Sequence, residues 1–200
     1  MQPIQIEYYF DLGSPYSFLG FHQIQRIAQK YQAEIVWKPM LLGGVFKATG
    51  NSSPISIPAK GRYTRSKLKS WSALLEIPMQ VHPDFPINTL TMMRILTAIQ
   101  LYQPAHFIQV ANVLFDALYR EHQAVNDPQV LLNILATVGL TAEQVQDYLA
   151  DEQVKAQLKL ITEQAVARGV FGAPTFFIAE ELFWGMDDLH FMQMTLDKIA

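Results

Sequence analysis

The chain predicts an α/β fold: a four-stranded sheet domain carrying a large all-helical insertion. Strand, helix and strand patterns open the chain, helical periodicity fills its middle, and strand, tight connection, strand and helix close it. A two-stranded piece left alone buries too little apolar area to be stable, so joining both ends in one four-stranded sheet is the economical arrangement.

Ile4 to Phe10 combines alternation with β-branched and aromatic residues and runs into Asp11-Leu12-Gly13-Ser14-Pro15, which predicts a strand entering a turn. Ile24, Ile27, Ala28 and Tyr31 then recur at helical spacing, with Ser14 at the N-cap and Pro15 in the first turn. A second strand is expected over Glu34 to Lys38, parallel to the first because a helix connects them. From Pro39 to about Pro86 the periodicity fades among Gly43, Gly44, Gly50, Pro54, Pro58, Gly61, Pro78, Pro83 and Pro86, leaving one short helix around Tyr63 to Leu75. A long irregular segment of this kind is a functional loop or a poorly ordered one.

Leu90 to Tyr102 and Ala105 to Glu121 are helical by period. Asn126-Asp127-Pro128 starts another helix, and Thr141-Ala142-Glu143-Gln144 fits a capping box. Val154, Leu158, Ile161 and Ala165 mark a further helix that Gly169 is placed to stop. Thr175 to Ile178 and Leu182 to Trp184 are strands joined tightly at Ala179-Glu180-Glu181. Leu189, Met192, Leu196 and Ile199 form the stripe of a last helix that Asp187 can cap. The expected organisation is a sheet domain in two parts, 1–42 and 156–200, around a helical insertion with an active-site loop at 43–155.

Composition narrows the function. Half of the 200 residues are hydrophobic, enough for one core or a core with an inserted lobe. Fifteen Lys and Arg against eighteen Asp and Glu, with no block of like charge, give no support for a nucleic-acid partner. The absence of cysteine removes disulfides, thiolate metal sites and any protein-borne thiol nucleophile. No apolar run approaches the roughly 18 residues that span a bilayer, and Met1 to Glu7 lack a signal-peptide layout, so no membrane partner and a cytoplasmic location are expected. Five scattered histidines show no metal-ligand spacing, and no serine sits in a G-x-S-x-G elbow. No metal site is expected.

Two features carry chemistry. Ser14-Pro15 places a hydroxyl where unpaired N–H groups and the positive end of a helix dipole converge, which by itself reads first as a plain N-cap and second as an anion site. Gly169-Val170-Phe171-Gly172-Ala173-Pro174-Thr175-Phe176 puts an X-Pro bond ahead of a strand, readable as cis or as an ordinary strand-start proline.

These motifs, with Phe10 to Leu19, Trp37 to Phe46, Gly50-Asn51, Lys60-Gly61-Arg62-Tyr63 and Phe183-Trp184-Gly185-Met186-Asp187, run in order over essentially the whole chain. Together they resemble the thioredoxin-like fold of the disulfide-oxidoreductase A type, and within it the glutathione-dependent 2-hydroxychromene-2-carboxylate isomerases and kappa-class glutathione transferases. The resemblance implies glutathione as cofactor, a small aromatic substrate and a homodimer. It implies that Ser14 hydrogen-bonds the glutathione sulfur and that Ala173, ahead of a cis Pro174, pairs its backbone with the cysteinyl unit. Asn51 and Lys60 match positions near the active site and the glycyl end, and Met186 and Asp187 match the pair that meets the γ-glutamyl group. Read as residues alone, Asn51 is also a turn asparagine, Lys60 a solvated lysine and Asp187 a helix cap.

In such an isomerase of aromatic degradation, thiolate addition turns a conjugated double bond into a rotatable single bond, and elimination then releases the trans keto acid. Lys38, Lys60 and Asn51 are the polar candidates to stabilise the enolate. Tyr16, Phe46, Trp71 and Phe171 are the candidates for an aromatic pocket. Asp188 departs from the family, which commonly places Arg there. The alternatives are a kappa-class transferase or peroxidase using the same thiolate, and a non-catalytic thioredoxin-like binding module.

Overall fold

In the computed structural model, which describes residues 3–199, the strands are β1 (Gln5–Phe10), β2 (Glu34–Pro39), β3 (Thr175–Ile178) and β4 (Glu181–Trp184). Met1 and Gln2, the start of the stretch read for a signal peptide, lie outside the described residues, as does Ala200. The sheet order is β2-β1-β3-β4, with β1 and β2 parallel and the other pairs antiparallel. The two ends of the chain therefore meet in one sheet, Tyr8 lying opposite Trp37 on one side and Phe176 on the other.

Helix α1 (Pro15–Tyr31) starts where the sequence places it, with Ser14 as N-cap. Its buried face of Phe18, Leu19, Phe21, Ile24 and Ile27 covers the sheet. Gly20 is needed there, since a Cβ would stand 3.3 Å from both the Pro174 ring and the Tyr8 hydroxyl. Tyr8, Phe10, Phe18, Phe21, Trp37, Phe107 and Phe115 form a connected aromatic core that welds sheet and helical lobe together.

The segment expected to be largely irregular holds two helices, α2 (Leu42–Thr49) and α3 (Pro58–Leu75). The poor propensity of Gly43 and Gly44 hid the first, and tertiary packing of the helix overrides it. Val45 is fully buried, and a Cβ on Gly44 would lie 3.1 Å from Thr162, so the glycine permits close approach to the helix carrying that residue. Pro58 opens α3 rather than breaking it, since proline at a first helical position forfeits only an N–H that would lack an intrahelical partner. The lobe continues through α4 (Leu90–Tyr102), α5 (Phe107–Tyr119), α6 (Pro128–Ala136), α7 (Ala142–Ala150) and α8 (Glu152–Ala167). A 3-10 turn at Pro104–His106 replaces the expected first turn of α5. Asp127 caps α6, and Thr141 with Gln144 closes a capping box on α7. Gly169 follows α8 at φ 86°, and α9 (Leu189–Ile199) completes the fold.

Candidate active site

Ser14 is 5% exposed at the junction of β1 and α1. Its Oγ accepts from the Ser17 N–H at 3.2 Å and donates to the Ala173 carbonyl at 2.9 Å, across 159 positions of sequence. The Ala173–Pro174 bond is cis, and the Gly185 N–H donates to the Pro174 carbonyl at 2.9 Å. The two motifs singled out by sequence are thus in direct contact. In the first turn of α1, Pro15 has no N–H, Ser17 donates to Ser14 Oγ, and Phe18 donates to the Ser14 carbonyl at 3.2 Å. Tyr16 holds the remaining N–H donor of a turn whose dipole favours negative charge.

These groups line a cavity of about 700 Å³. Its lining includes the apolar side chains of Phe46, Ile55, Leu68, Trp71, Val81, Phe85 and Ile87 together with Ser14, Asn51, Ala173, Met186 and Asp187. Tyr16, Phe46 and Trp71 are on the wall as expected, whereas Phe171 packs against Trp184 at 5.0 Å between ring centres. Asn51 donates from Nδ2 to the Phe171 carbonyl at 2.8 Å, tying the active-site loop to the cis-proline segment. Lys60 stands exposed on the first turn of α3 outside the wall, while Arg65 of the same helix lies on it. Lys38 pairs with Glu7 at 3.5 Å and is absent from the wall.

Asp187 is exposed on the wall and does not cap α9, because the position before Leu189 is Asp188. The Asp188 carbonyl accepts from the Met192 N–H, and its carboxylate accepts from the Trp184 N–H at 2.9 Å, closing the β4–α9 turn. Burial first, then the negative charge of Asp187 and coupling to the Tyr63 phenol, push the Tyr16 hydroxyl up to about 12, so it stays protonated and able to donate. Met186 is buried and lines the cavity. The approach of Trp184 depends on Gly172, where a Cβ would lie 2.6 Å from Trp184 Nε1.

The sequence places Asp11 in a turn; in the structure it is a buried carboxylate, 3% exposed, on the cavity wall. It accepts from the N–H of Gly13 at 2.8 Å, the N–H of Leu42 at 2.8 Å and the hydroxyl of Thr89 at 2.6 Å. Its one visible signal was an acid set directly after an apolar strand. Among the described residues no group of three or more His, Cys, Asp or Glu is arranged to hold a metal, and no helix is long and apolar enough to cross a membrane.

This sheet order, the helix start facing a cis proline and the helical insertion define a thioredoxin-like protein whose helix-start position bears a hydroxyl. The DSBA-like thioredoxin domain matches residues 5–197, and the chain belongs to that family. Glutathione S-transferase kappa 1 of Homo sapiens is 33% identical over 180 residues, covering 86% of this chain and 80% of the transferase. The 2-hydroxychromene-2-carboxylate isomerase of Pseudomonas sp. (strain C18) is 28% identical over 193 residues, covering 94% and 88%. A solved 2-hydroxychromene-2-carboxylate isomerase superposes with a TM-score of 0.85 at 25% identity, covering 98% of this chain and 96% of that structure.

Proposed function

We propose that the protein is a glutathione-dependent isomerase that interconverts 2-hydroxychromene-2-carboxylate and trans-o-hydroxybenzylidenepyruvate-type aromatic keto acids. The observation that carries this reading is the Ser14 hydroxyl, 2.9 Å from the Ala173 carbonyl at a helix start, on the wall of a large cavity in a chain without cysteine. The site fits glutathione: the helix start suits a thiolate, the Ala173 segment suits an extended peptide, and exposed Asp187 suits an ammonium. When bound, glutathione supplies the thiolate that adds reversibly to a conjugated alkene.

Ser14 has one hydrogen to donate, now directed to the Ala173 carbonyl. Turning it toward a ligand sulfur frees that carbonyl to accept an N–H from the docked peptide, so thiolate stabilisation and peptide docking are coupled through one hydroxyl. The Tyr16 N–H adds a second donor at the same helix start. Both favour thiolate over a free thiol, whose pKa is about 8.5. Asn51 spends one N–H on Phe171 and has a second for a developing enolate oxygen. Lys60 is the candidate for the glycyl carboxylate, and the apolar side chains of the cavity lining take the aromatic ring.

The test mixes the protein, reduced glutathione and the chromene acid. Glutathione-dependent interconversion is expected; equal turnover without glutathione, or none with it bound, refutes the reading. The higher identity to the human transferase favours a second reading, a kappa-class transferase or peroxidase. Turnover of an electrophilic aryl halide or a hydroperoxide, with none of the chromene acid, selects it. No saturable glutathione binding selects a non-catalytic binding module instead.

A further inference from the structure

Asp11 lies at the meeting of three segments. Its Oδ1 accepts from Gly13, inside the loop that carries Ser14, and from Thr89, the residue before α4. Its Oδ2 accepts from the N–H of Leu42, the first residue of α2, whose own preceding residue, Leu41, provides no side-chain cap. Thr89 likewise spends its hydroxyl on Asp11 instead of on its own helix. Three donors converge on the carboxylate, the pattern that favours an ionised acid; burial raises its pKa, and the bonds from Thr89, Gly13 and Leu42 pull against that rise. Its other close polar neighbour is Tyr119 of α5, whose neutral hydroxyl donates to the Leu12 carbonyl; no cation pairs with Asp11 among the described residues. A buried anion without a counter-ion is costly, and here three hydrogen bonds, two of them from backbone N–H groups, offset that cost and hold the carboxylate on the cavity wall.

We infer that Asp11 is a positioning residue: it clasps the Ser14 loop to α2 and α4, fixing the anion-stabilising helix start against the cavity wall, while its charge restrains how acidic a bound thiol becomes. This rests on the glutathione reading. A helix start and a hydroxyl alone would drive the thiol pKa down, and a thiolate loses nucleophilicity as its pKa falls; the best attacking thiol has a pKa near the working pH. A fixed negative charge on the same wall opposes that drop.

The experiment follows the ultraviolet absorbance of bound glutathione thiolate against pH, together with kcat and KM, in the parent, Asp11→Asn and Thr89→Val. Asp11→Asn is expected to lower the bound-thiol pKa by about half a unit or more, through loss of a like charge. Its kcat is expected to fall about tenfold at a nearly unchanged KM for glutathione, because an amide N–H set against the Leu42 N–H breaks the clasp. Thr89→Val keeps the charge, so it is expected to lower kcat with little change in thiol pKa, and Thr89→Ser is expected to restore it. A merely structural residue would lower kcat without making the thiol more acidic. An unchanged or raised thiol pKa in Asp11→Asn overturns the inference, as does full kcat in Thr89→Val if Asp11→Asn does not fold. A parent protein that binds no glutathione overturns the functional reading, and the inference with it.

Discussion

Replacing Ser14 by alanine removes one oxygen that serves two partners. The Ser17 N–H loses its acceptor at 3.2 Å, and the Ala173 carbonyl loses its donor at 2.9 Å. A side-chain N-cap contributes about 1 kcal/mol and a net hydrogen bond about the same, so stability is expected to fall by about 2 kcal/mol. For 200 residues this lowers Tm by about 4–8 °C. The loss in turnover is larger, because a hydrogen bond to a charged group contributes about 1.5–3 kcal/mol. That corresponds to about ten- to hundredfold in kcat and a rise of about one to two units in the bound-thiol pKa. Thermal denaturation, thiolate absorbance and glutathione-dependent isomerisation measured on the same preparations separate the two effects. Ser14→Thr, which keeps the hydroxyl, is expected to recover much of the activity. Parental turnover in Ser14→Ala, or an unchanged thiol pKa, would remove the hydroxyl from the chemistry.

Gly172→Ala forces the Trp184 indole away from a Cβ that would stand 2.6 Å from its nitrogen; a loss of about 1–3 kcal/mol and weaker glutathione binding by calorimetry are expected. Tyr119→Phe strips the donor from the buried Leu12 carbonyl, so denaturant titration should show a loss of about 1–3 kcal/mol. His22 carries a pKa lowered from 6.5 to about 4, first by burial and then by Arg120 and Arg26, so the unfolded chain binds the extra proton between those values. Its contribution to stability is therefore present above about 6.5 and lost as pH falls toward 4; His22→Gln is expected to flatten that part of the stability profile, measured by urea midpoints.

The elements most legible in sequence were those whose own residues specify them: the Ser14-Pro15 start, the Asp127 cap, the Thr141–Gln144 box and the aromatic strands. Helix α2 was hidden because its Gly44 answers to a neighbour 118 positions away, Thr162, and no local pattern records that. The candidate site was legible through the family's motifs rather than through periodicity. The Ser14–Ala173 bond joins the two ends of the chain, and spacing alone left both motifs with ordinary readings. Lys38 and Asp188 show the converse. Each looked chemically suggestive in its motif, yet one answers Glu7 across the strand surface and the other the Trp184 N–H within its own turn.

A site that steadies an anion with backbone donors works only if those donors are already aimed, since reorienting them during reaction costs what they would contribute. Here the loop is held from beneath. The Leu12 carbonyl accepts from Tyr119 at 2.9 Å, the Ser17 carbonyl accepts from Tyr8 at 2.6 Å, and the Leu12 N–H faces Met93 Sδ at 3.4 Å. Burial raises both tyrosines well above their ordinary value, so each remains a donor at any working pH. With the Gly13 N–H on the Asp11 carboxylate and the Ser14 N–H on the Asp11 carbonyl, the loop's internal polar groups are committed to the protein. What stays available at the mouth is the Ser14 hydroxyl hydrogen, which can turn, and the Tyr16 N–H, which the helix already aims. That division, fixed backbone below and one turning hydroxyl above, is what the proposed use of glutathione requires of a chain without a thiol of its own.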